Sequence, residues 1–498
     1  MDEGRVNFDW MAVSIGSHTL FDDGKVLRGK FLDRNKVVLG KSIYRNNRTV
    51  SNQERFYTQG PGFYPVIGYW NFIYGKNNLE KEMDEYLRGN HHFPVYSRLP
   101  GSRDKVEIGD DVVLTLDSKI QRVAYNLMRN RRGAVVVLKV QTGEILAAVS
   151  APSFDPNKTE RNYWREAFAD HKGKPYENRA FSVLYPPGST FKTVVASAWL
   201  EEDRKEELQE IVCTGEKNKY NISDIHAHGK VNLDKAFTDS CNLFFSEIGV
   251  MLGPKLLDYA ERFGFNQDLN LIPQIKRHDD KAEKSLAFSW YDYSSDQPEV
   301  RTYTEDDFKK NPKIVAQGAI GQNLIVATPL QMALVSLTIA NEGKVLNPYL
   351  IKEITRGDGK KVIFSSHPVE MGRAIKKSTA MKLATLMKKV MEKGTGKHVK
   401  KLSCQNGTFF TVRPGKTARL IPIAGKTGTA EVGDKNGNGN RDPDEKPHSW
   451  FIGFAPADNP QVSIAVIVEN QGFGSMAAAP IAMDVLAEAL NQTKGGGK

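Results

Sequence analysis

The chain has 498 residues, 40% of them hydrophobic and 26% charged, which is typical of a soluble globular protein of two or more domains. Its formal net charge of +10 comes without a DNA- or RNA-binding motif, so we expect no nucleic-acid partner, and no apolar run resembles a signal peptide or membrane span. Its three cysteines, Cys213, Cys241 and Cys404, can form at most one disulfide, which excludes a disulfide-rich scaffold.

The first 104 residues carry short alternating runs and many Gly, Asn, Arg and aromatic residues, which predicts a small, mostly extended N-terminal module. After it the pattern becomes more regular. The elements predicted next are a strand over 109–117, a helix over 118–128 capped by Asp117 or Ser118, and a hairpin of two strands over 133–150.

Helical patterns dominate the middle of the chain, and strands return near its end. The predicted helices are 189–201, 234–252, 254–264, 328–342 with Thr328 as N-cap and Pro329 at the first position, 376–393 and 477–492. The predicted late strands are 424–432, 449–456 and 462–470. A sheet built from the two ends of a chain, with helices inserted between them, is an α+β fold.

A rigid elbow, YPPG (185–188), precedes Ser189, and Lys192 follows that serine by three residues on an apolar helix. Side chains at i and i+3 share one helix face, so Lys192 can reach the Ser189 hydroxyl. A serine becomes nucleophilic when a neighbour takes its proton, and lysine can do so if desolvation or nearby positive charge lowers its pKa. The same S-x-x-K spacing occurs at Ser102 and Lys105 and is common by chance, so the elbow and the apolar helix single out Ser189.

Two further motifs follow, Ser240-Cys241-Asn242 and Lys426-Thr427-Gly428, and each occurs once in the chain. Ser240 can relay a proton and Asn242 can hydrogen-bond a substrate amide. Lys426 supplies positive charge, which suits a substrate carboxylate and lowers the pKa of Lys192. Each motif alone has a structural interpretation, as polar turn residues or a strand-end charge, but their joint order favours serine acyl transfer.

The three motifs together define the predicted site. The expected oxyanion hole is formed by the backbone N–H groups of Ser189 and Thr429. The predicted catalytic residues are Ser189, Lys192, Ser240 and Asn242, and the predicted substrate-binding residues are Lys426, Thr427, Gly428 and Thr429.

With S-x-x-K, S-x-N and K-T-G in this order, the sequence resembles the monofunctional (class B) penicillin-binding proteins, the D,D-transpeptidases of cell-wall synthesis, and most closely their penicillin-binding protein A branch. Asn323 departs from the family pattern, which often has glycine there. The resemblance also rests on RGKFLDRN (28–35), FYPVIGYWNFIYGKNNLEKEMDEYLRG (63–89), TGEILAAVSAPSFDPN (142–157), NRAFSVLYPPGSTFK (178–192), AIGQNLIVATPLQMA (319–333) and MEKGTGKHV (391–399).

The resemblance implies that Ser189 attacks the D-Ala-D-Ala end of a peptidoglycan stem peptide and that an amine of a neighbouring stem accepts the acyl group. It implies that β-lactams acylate Ser189 and that no metal or organic cofactor is required. It implies a transpeptidase fold over 105–498, with helices on both faces of an antiparallel sheet, and a non-catalytic pedestal or dimerisation-like module over 1–104. The expected location is the extracytoplasmic face of the bacterial cell membrane, beside a membrane-embedded glycan polymerase, with the anchor helix outside this sequence.

The segment DKNGNGNRDPDE (434–445) fits the EF-hand loop pattern, in which side-chain oxygens surround calcium and a glycine, here Gly439, makes the sharp turn. No helices are predicted to flank it, so a polar hairpin loop is the alternative interpretation. The candidate calcium ligands are Asp434, Asn436, Asn438, Asp442 and Glu445.

Asp224, His226 and His228 also contain metal-ligating atoms, but two histidines at i and i+2 without further ligands in register favour a structural role. Two functional alternatives stay open at this point. A serine β-lactamase or D,D-carboxypeptidase would use the same serine with water as the acceptor, and a non-catalytic β-lactam sensor or scaffold would keep only the fold.

Overall fold

The structure, a computed structural model, describes residues 26–44, 53–71, 73–90, 95–98, 105–204, 207–272, 281–282, 284–292, 299–415, 419–432 and 445–493. The chain forms two compact units, and each is drawn from three segments. Unit 1 comprises Met1–Thr115, Phe154–Glu166 and Ile351–Ser366, and unit 2 comprises Leu116–Ser153, Ala167–Leu350 and His367–Lys498.

Unit 1 is built on a six-stranded mixed sheet. The strand order in this sheet is Val362–Ser365, Ile351–Thr355, Asp111–Leu114, Phe31–Leu32, Val38–Tyr44 and Gln53–Tyr57. Its other strands are Val26–Leu27, Trp70–Asn71, Gly75–Lys76, Val95–Arg98 and Lys105–Ile108. Its short helices are Pro61–Phe63, Tyr64–Ile67, Asn78–Glu82 and Asp84–Leu87, and the helix Arg161–Ala169 begins in this unit.

A buried ion network holds unit 1 together around the carboxylate of Glu80, whose side chain is fully buried. Arg28 Nε lies 2.8 Å from Glu80 Oε2, and Arg55 Nε lies 2.5 Å from Glu80 Oε1. Arg28 also reaches Asp84 at 2.6 Å. Burial alone would raise the pKa of Glu80, but the two guanidinium groups lower it below its ordinary value. Removing one charge from such a network leaves its partners buried and unpaired.

Unit 2 is built on a five-stranded antiparallel sheet that joins an early hairpin to three late strands. The strand order is Ile145–Ala151, Gly133–Lys139, Val462–Val468, His448–Ala455 and Ala424–Ala430. Gly133–Lys139 pairs in full register with Val462–Val468, so the beginning and the end of this unit meet in the middle of the sheet. The α+β fold predicted from the sequence is confirmed.

Helices cover both faces of this sheet because successive side chains of each strand point to opposite faces. On one face Ile464 and Val466 join a core with the helices Ser118–Met128 and Ala478–Thr493. On the other face Ser463 Oγ donates a hydrogen bond to the Ala333 carbonyl of the fully buried helix Pro329–Ala340.

The remaining helices of unit 2 surround this core. They are the turn Gly188–Thr190 and the helices Lys192–Glu201, Leu233–Asp239, Asn242–Leu252, Lys255–Arg262, Glu305–Lys310, Pro312–Ala319 and Lys377–Glu392. The short strands are Ile211–Cys213, Gly229–Val231, Leu269–Asn270, Lys281–Ala282, Leu286–Ala287, Ser289–Asp292, Glu299–Thr302, Ile325–Val326, Lys344–Leu346, Glu370–Arg373, Lys401–Gln405 and Thr408–Val412.

Most predicted elements form within a few residues of their expected bounds. Asp117 caps the Ser118–Met128 helix, and Thr328 caps the helix that begins at Pro329. The single helix predicted over 234–252 is wrong, because Ser240 adopts a left-handed conformation that ends one helix and a second begins at Asn242. None of the helices in the described ranges has the length and apolar content needed to cross a bilayer.

We predict that Glu80→Ala lowers the free energy of unfolding of unit 1 by about 3–5 kcal/mol, because two buried guanidinium groups lose their shared partner. Urea denaturation followed by circular dichroism measures this loss. The control for an exposed ion pair is Lys310→Ala in unit 2, which removes a pair with Asp306 whose side chains are 71% and 68% exposed. It should change the stability of that unit by about 1 kcal/mol or less. Equal losses for the two variants would contradict the role assigned to the Glu80 network.

Candidate active site

The serine elbow is held by close backbone packing. Ser189 lies half-buried in the turn Gly188–Thr190, immediately before the helix that starts at Lys192. Gly188 has φ +53°, and a methyl group at this position would lie 2.3 Å from the Thr429 carbonyl oxygen. Its N–H donates to the Gly321 carbonyl at 2.9 Å. Glycine is therefore required here, both for its backbone conformation and for the space.

The S-x-N motif occupies the break between two helices. Ser240 has φ +64° and ends the first helix, and Cys241 is the N-cap of the second. Asp224 holds this turn from outside: its Oδ1 accepts the Asn242 N–H at 2.7 Å, and its Oδ2 accepts the Leu243 N–H at 3.1 Å. Burial would raise the pKa of Asp224, but these hydrogen bonds and the nearby Lys192 lower it.

Lys192 binds the S-x-N turn through its amine, and its side chain is fully buried. Nζ donates to the Ser240 carbonyl and to Asn242 Oδ1, both at 2.7 Å. Burial lowers the pKa of Lys192 to about 8, although Asp224 and Cys241 act in the opposite direction. A lysine with such a pKa exists partly as a neutral amine near neutral pH, which a general base requires.

Lys426 approaches the same turn from the edge strand Ala424–Ala430 and is also fully buried. Its Nζ donates to Ser240 Oγ at 2.9 Å, and Lys192 Nζ lies 3.4 Å from that hydroxyl. Burial and, secondarily, the charge of Lys192 hold the pKa of Lys426 well below its usual value. The expected causes of a lowered pKa for Lys192 were desolvation and the charge of Lys426, and burial is the main cause for both amines.

The K-T-G strand lies directly against the elbow. A methyl group at Gly428 would lie 2.8 Å from Thr190 Cγ2 and 3.1 Å from the Pro187 carbonyl. Thr427 Oγ1 shares a hydrogen bond of 2.5 Å with Thr395 Oγ1. Thr395 lies in the segment 391–399, and only the fold brings it beside Thr427.

The carboxylate of Glu469, which the sequence analysis did not predict as important, binds the segment that leads into the elbow. Glu469 Oε1 accepts hydrogen bonds from Tyr185 at 2.8 Å and from Arg179 at 2.9 Å. Its other oxygen lies 2.7 Å from Arg132. Trp450 Nε1 donates to the Pro186 carbonyl at 3.0 Å. These contacts join segments that are distant in the chain, so no local sequence signal could have identified them.

The remaining predicted site residues are only partly described. Asp434, Asn436, Asn438 and Asp442 lie outside the described residues, and Glu445 is buried. Asn323 has φ +58°, a left-handed conformation that asparagine tolerates better than most residues. His226 is exposed.

The structure thus joins Lys192, Ser240, Asn242 and Lys426 in one hydrogen-bonded group, and Ser189 precedes Lys192 by one turn. A neutral Lys192 amine that donates to the S-x-N turn keeps a lone pair for a proton from a hydroxyl. Such a group can activate a serine and return its proton to a leaving amine.

Comparisons with known proteins identify the family of this chain. Residues 133–487 match the family model of the penicillin binding protein transpeptidase domain, and residues 28–104 match that of the penicillin binding protein A dimerisation domain. The peptidoglycan D,D-transpeptidase PbpA of Mycolicibacterium smegmatis is 31% identical over 88% of this chain and 84% of its own length.

Two solved structures resemble this one closely. The D,D-transpeptidase domain of a peptidoglycan glycosyltransferase from Eggerthella lenta has a TM-score of 0.75 and 29% identity, covering 95% of this chain and 99% of that one. The ceftriaxone acyl-enzyme complex of penicillin-binding protein A from Mycobacterium tuberculosis has a TM-score of 0.73 and 27% identity, covering 94% and 99%.

We predict that Gly188→Ala destabilises unit 2 by about 2–5 kcal/mol, because the left-handed conformation and the clash with Thr429 both oppose a methyl group. The control is Gly407→Ala, where φ is +78° but no atom lies within 4 Å of the added methyl group. That variant should lose only about 1–2 kcal/mol. Chemical denaturation measures both, and similar losses would show that the elbow is not tightly packed.

Proposed function

This chain belongs to the penicillin-binding protein transpeptidase family, and on that premise we propose that it is a peptidoglycan D,D-transpeptidase, a serine acyl-transfer enzyme that β-lactams acylate. The observation that carries this proposal is the amine of Lys192, which is buried and binds the Ser240 carbonyl and the Asn242 side chain. A buried amine with a lowered pKa, one turn after a serine, is the base that a serine nucleophile requires.

In the first half-reaction, Ser189 Oγ attacks the carbonyl between the two D-alanines of a stem peptide, and Lys192 takes the hydroxyl proton. The tetrahedral intermediate collapses when its C–N bond breaks, and D-alanine leaves with a proton relayed through Ser240. The hydrogen bonds from Lys192 and Lys426 to the Ser240 oxygen support this relay. Ser189 then carries the peptide as an ester.

In the second half-reaction, an amine of a neighbouring stem attacks the ester carbonyl and loses a proton to the Lys192–Ser240 pair. The new peptide bond forms and the ester bond between the acyl carbon and Ser189 Oγ breaks. The Ser189 hydroxyl then regains its proton. The same two residues thus act as base and then as acid, as microscopic reversibility requires.

Lys426, Thr427, Gly428 and Thr429 are assigned to substrate binding. Burial disfavours the protonated form of Lys426. A substrate carboxylate beside this amine would favour the protonated form, because opposite charges attract. The close approach of Gly188 to Thr429 supports an oxyanion hole made from the N–H groups of Ser189 and Thr429, since it brings the two backbones together.

Finer aspects rest on family membership alone. We assign the enzyme to the extracytoplasmic face of the cell membrane, where its substrate lies, and a membrane-embedded glycan polymerase to its N-terminal region as partner. We assign acyl transfer to 105–498 and a non-catalytic, dimerisation-like role to 1–104. Calcium at Asp434–Glu445 stays a prediction from the sequence.

We predict that Ser189→Ala abolishes the covalent penicillin adduct, because no other hydroxyl sits one turn before the buried Lys192. Mass spectrometry of the protein after penicillin treatment, followed by peptide mapping, measures the adduct. The matched control is Ser102→Ala, which alters the other S-x-x-K serine and should leave the adduct unchanged. Labelling that persists in Ser189→Ala would identify a different nucleophile.

The fate of that adduct separates the transpeptidase from hydrolytic relatives. Slow release of a bound fluorescent penicillin is the result expected for a transpeptidase. Rapid turnover of the same compound would instead indicate a β-lactamase.

We predict that the acylation rate rises with pH up to about 8 and then levels off. Lys192 can accept a proton only when neutral, so the rate should fall about tenfold for each pH unit well below its pKa. Stopped-flow measurement of penicillin acylation gives this profile, and thermal unfolding across the same pH range is the control for loss of structure. A flat profile would exclude Lys192 as the base, as would an active Lys192→Arg variant.

A further inference from the structure

Four metal-ligating side chains meet beside the S-x-N turn, and the acyl-transfer chemistry uses none of them. They are Cys213, Asp224, His228 and Cys241, whose donor atoms all lie within 4.8 Å of one another. Cys213 ends the strand Ile211–Cys213, and Cys241 is the N-cap of the Asn242–Leu252 helix. Asp224 and His228 come from the irregular loop between them.

The distances between these atoms fit a tetrahedron. Zinc bonds of about 2.0–2.3 Å to nitrogen, oxygen and sulfur give a tetrahedron with edges of about 3.3–3.8 Å. Asp224 Oδ2 lies 3.3 Å from Cys213 Sγ, 3.2 Å from Cys241 Sγ and 3.8 Å from His228 Nδ1. Cys213 Sγ lies 3.3 Å from His228 Nδ1. Three of these four distances lie within that range, and the fourth, 3.2 Å between Asp224 Oδ2 and Cys241 Sγ, is just below it.

The environment and the ligand types favour zinc held for a structural purpose. The His228 and Asp224 side chains are 6% and 4% exposed, and both cysteines are buried. Two sulfur donors, one imidazole and one carboxylate suit Zn²⁺, and four protein ligands leave no open position for substrate or water.

We propose that Cys213, Asp224, His228 and Cys241 form a tetrahedral zinc site that fixes the S-x-N turn. Cys241 is the residue between Ser240 and Asn242, so a bond from its sulfur to the metal anchors the turn that receives the Lys192 amine. Asp224 acts from the same side, because its Oδ1 accepts the Asn242 N–H while Oδ2 faces the other three donors.

The site would also add support to the S-x-N turn, which the hydrogen bonds to Asp224 already hold. Ser240 is left-handed, a conformation that costs a serine about 1–2 kcal/mol and needs support from its surroundings. A metal bond at the next residue supplies that support. Zinc loss should therefore loosen Ser240 and Asn242 before it affects the central sheet.

Metal content tests the site independently of any enzyme activity. The full chain is freed of metal by a chelator, dialysed against zinc, and analysed by inductively coupled plasma mass spectrometry. We expect about one zinc ion per chain. Loss of a residue that only hydrogen-bonds a metal ligand lowers metal affinity about 10- to 100-fold. Cys213→Ser and His228→Ala each remove a ligand, so zinc affinity should fall further in these variants.

The matched controls are Cys404→Ser and His226→Ala, which alter a cysteine and a histidine outside the cluster and should keep full zinc binding. Cobalt(II) loading adds a spectroscopic test. The thiolate-to-cobalt charge-transfer band should appear in the wild type and in both controls, and it should weaken in Cys213→Ser. Circular dichroism verifies that each variant is folded.

The proposal is overturned if the wild type binds neither zinc nor cobalt, if Cys213→Ser keeps stoichiometric zinc, or if a Cys213–Cys241 disulfide is found instead. The effect on the S-x-N turn rests on the proposed function and has its own readout: chelation should slow penicillin acylation at least about tenfold, and zinc should restore it. Full zinc binding without any acylation would contradict the proposed function and leave the zinc site standing. Unchanged acylation after zinc removal would overturn the anchoring role.

Discussion

The active site depends on the placement of one buried amine. Lys192 has no contact with bulk solvent, and its nitrogen donates to a carbonyl and a side-chain oxygen of the S-x-N turn. These bonds fix the direction of the remaining lone pair, while burial lowers the pKa that would otherwise keep the amine charged. A second buried amine, that of Lys426 on the strand Ala424–Ala430, donates a hydrogen bond to the hydroxyl of Ser240 in the same turn. Two buried amines can share such a site only because burial disfavours charge on each of them.

That arrangement in turn requires very close backbone packing. The elbow before Ser189, the loop at Gly321 and the strand that carries Lys426 touch through main-chain atoms, and glycine at 188 and 428 leaves the necessary space. The Glu469 carboxylate fixes the approach to the elbow through Tyr185 and Arg179. The catalytic geometry is thus built by the sheet, with the helices supplying the serine, the first lysine and the S-x-N turn.

Periodicity identified most helices and strands because each depends on local burial patterns. The Ser118–Met128 helix, the early hairpin and the three late strands formed close to their predicted bounds. The helix predicted over 234–252 failed at Ser240, where a polar serine interrupts an otherwise apolar pattern that local reasoning extends too far. The lowered pKa of Lys192 was expected, and its main cause, burial, depends on neighbours far away in the chain.

The sequence alone determined the α+β fold class and the identity of the three motifs, because motif order, residue type and periodicity are local properties. It also placed Asp224 and His228 near one another, yet it could not supply the cysteines that complete their cluster. Only the tertiary structure decided which residues meet: Cys213 and Cys241 with the loop between them, Thr395 with Thr427, and Lys426 with Ser240. The physical reason is that these contacts join segments distant in the chain, and long-range packing sets both their distances and the burial that tunes their chemistry.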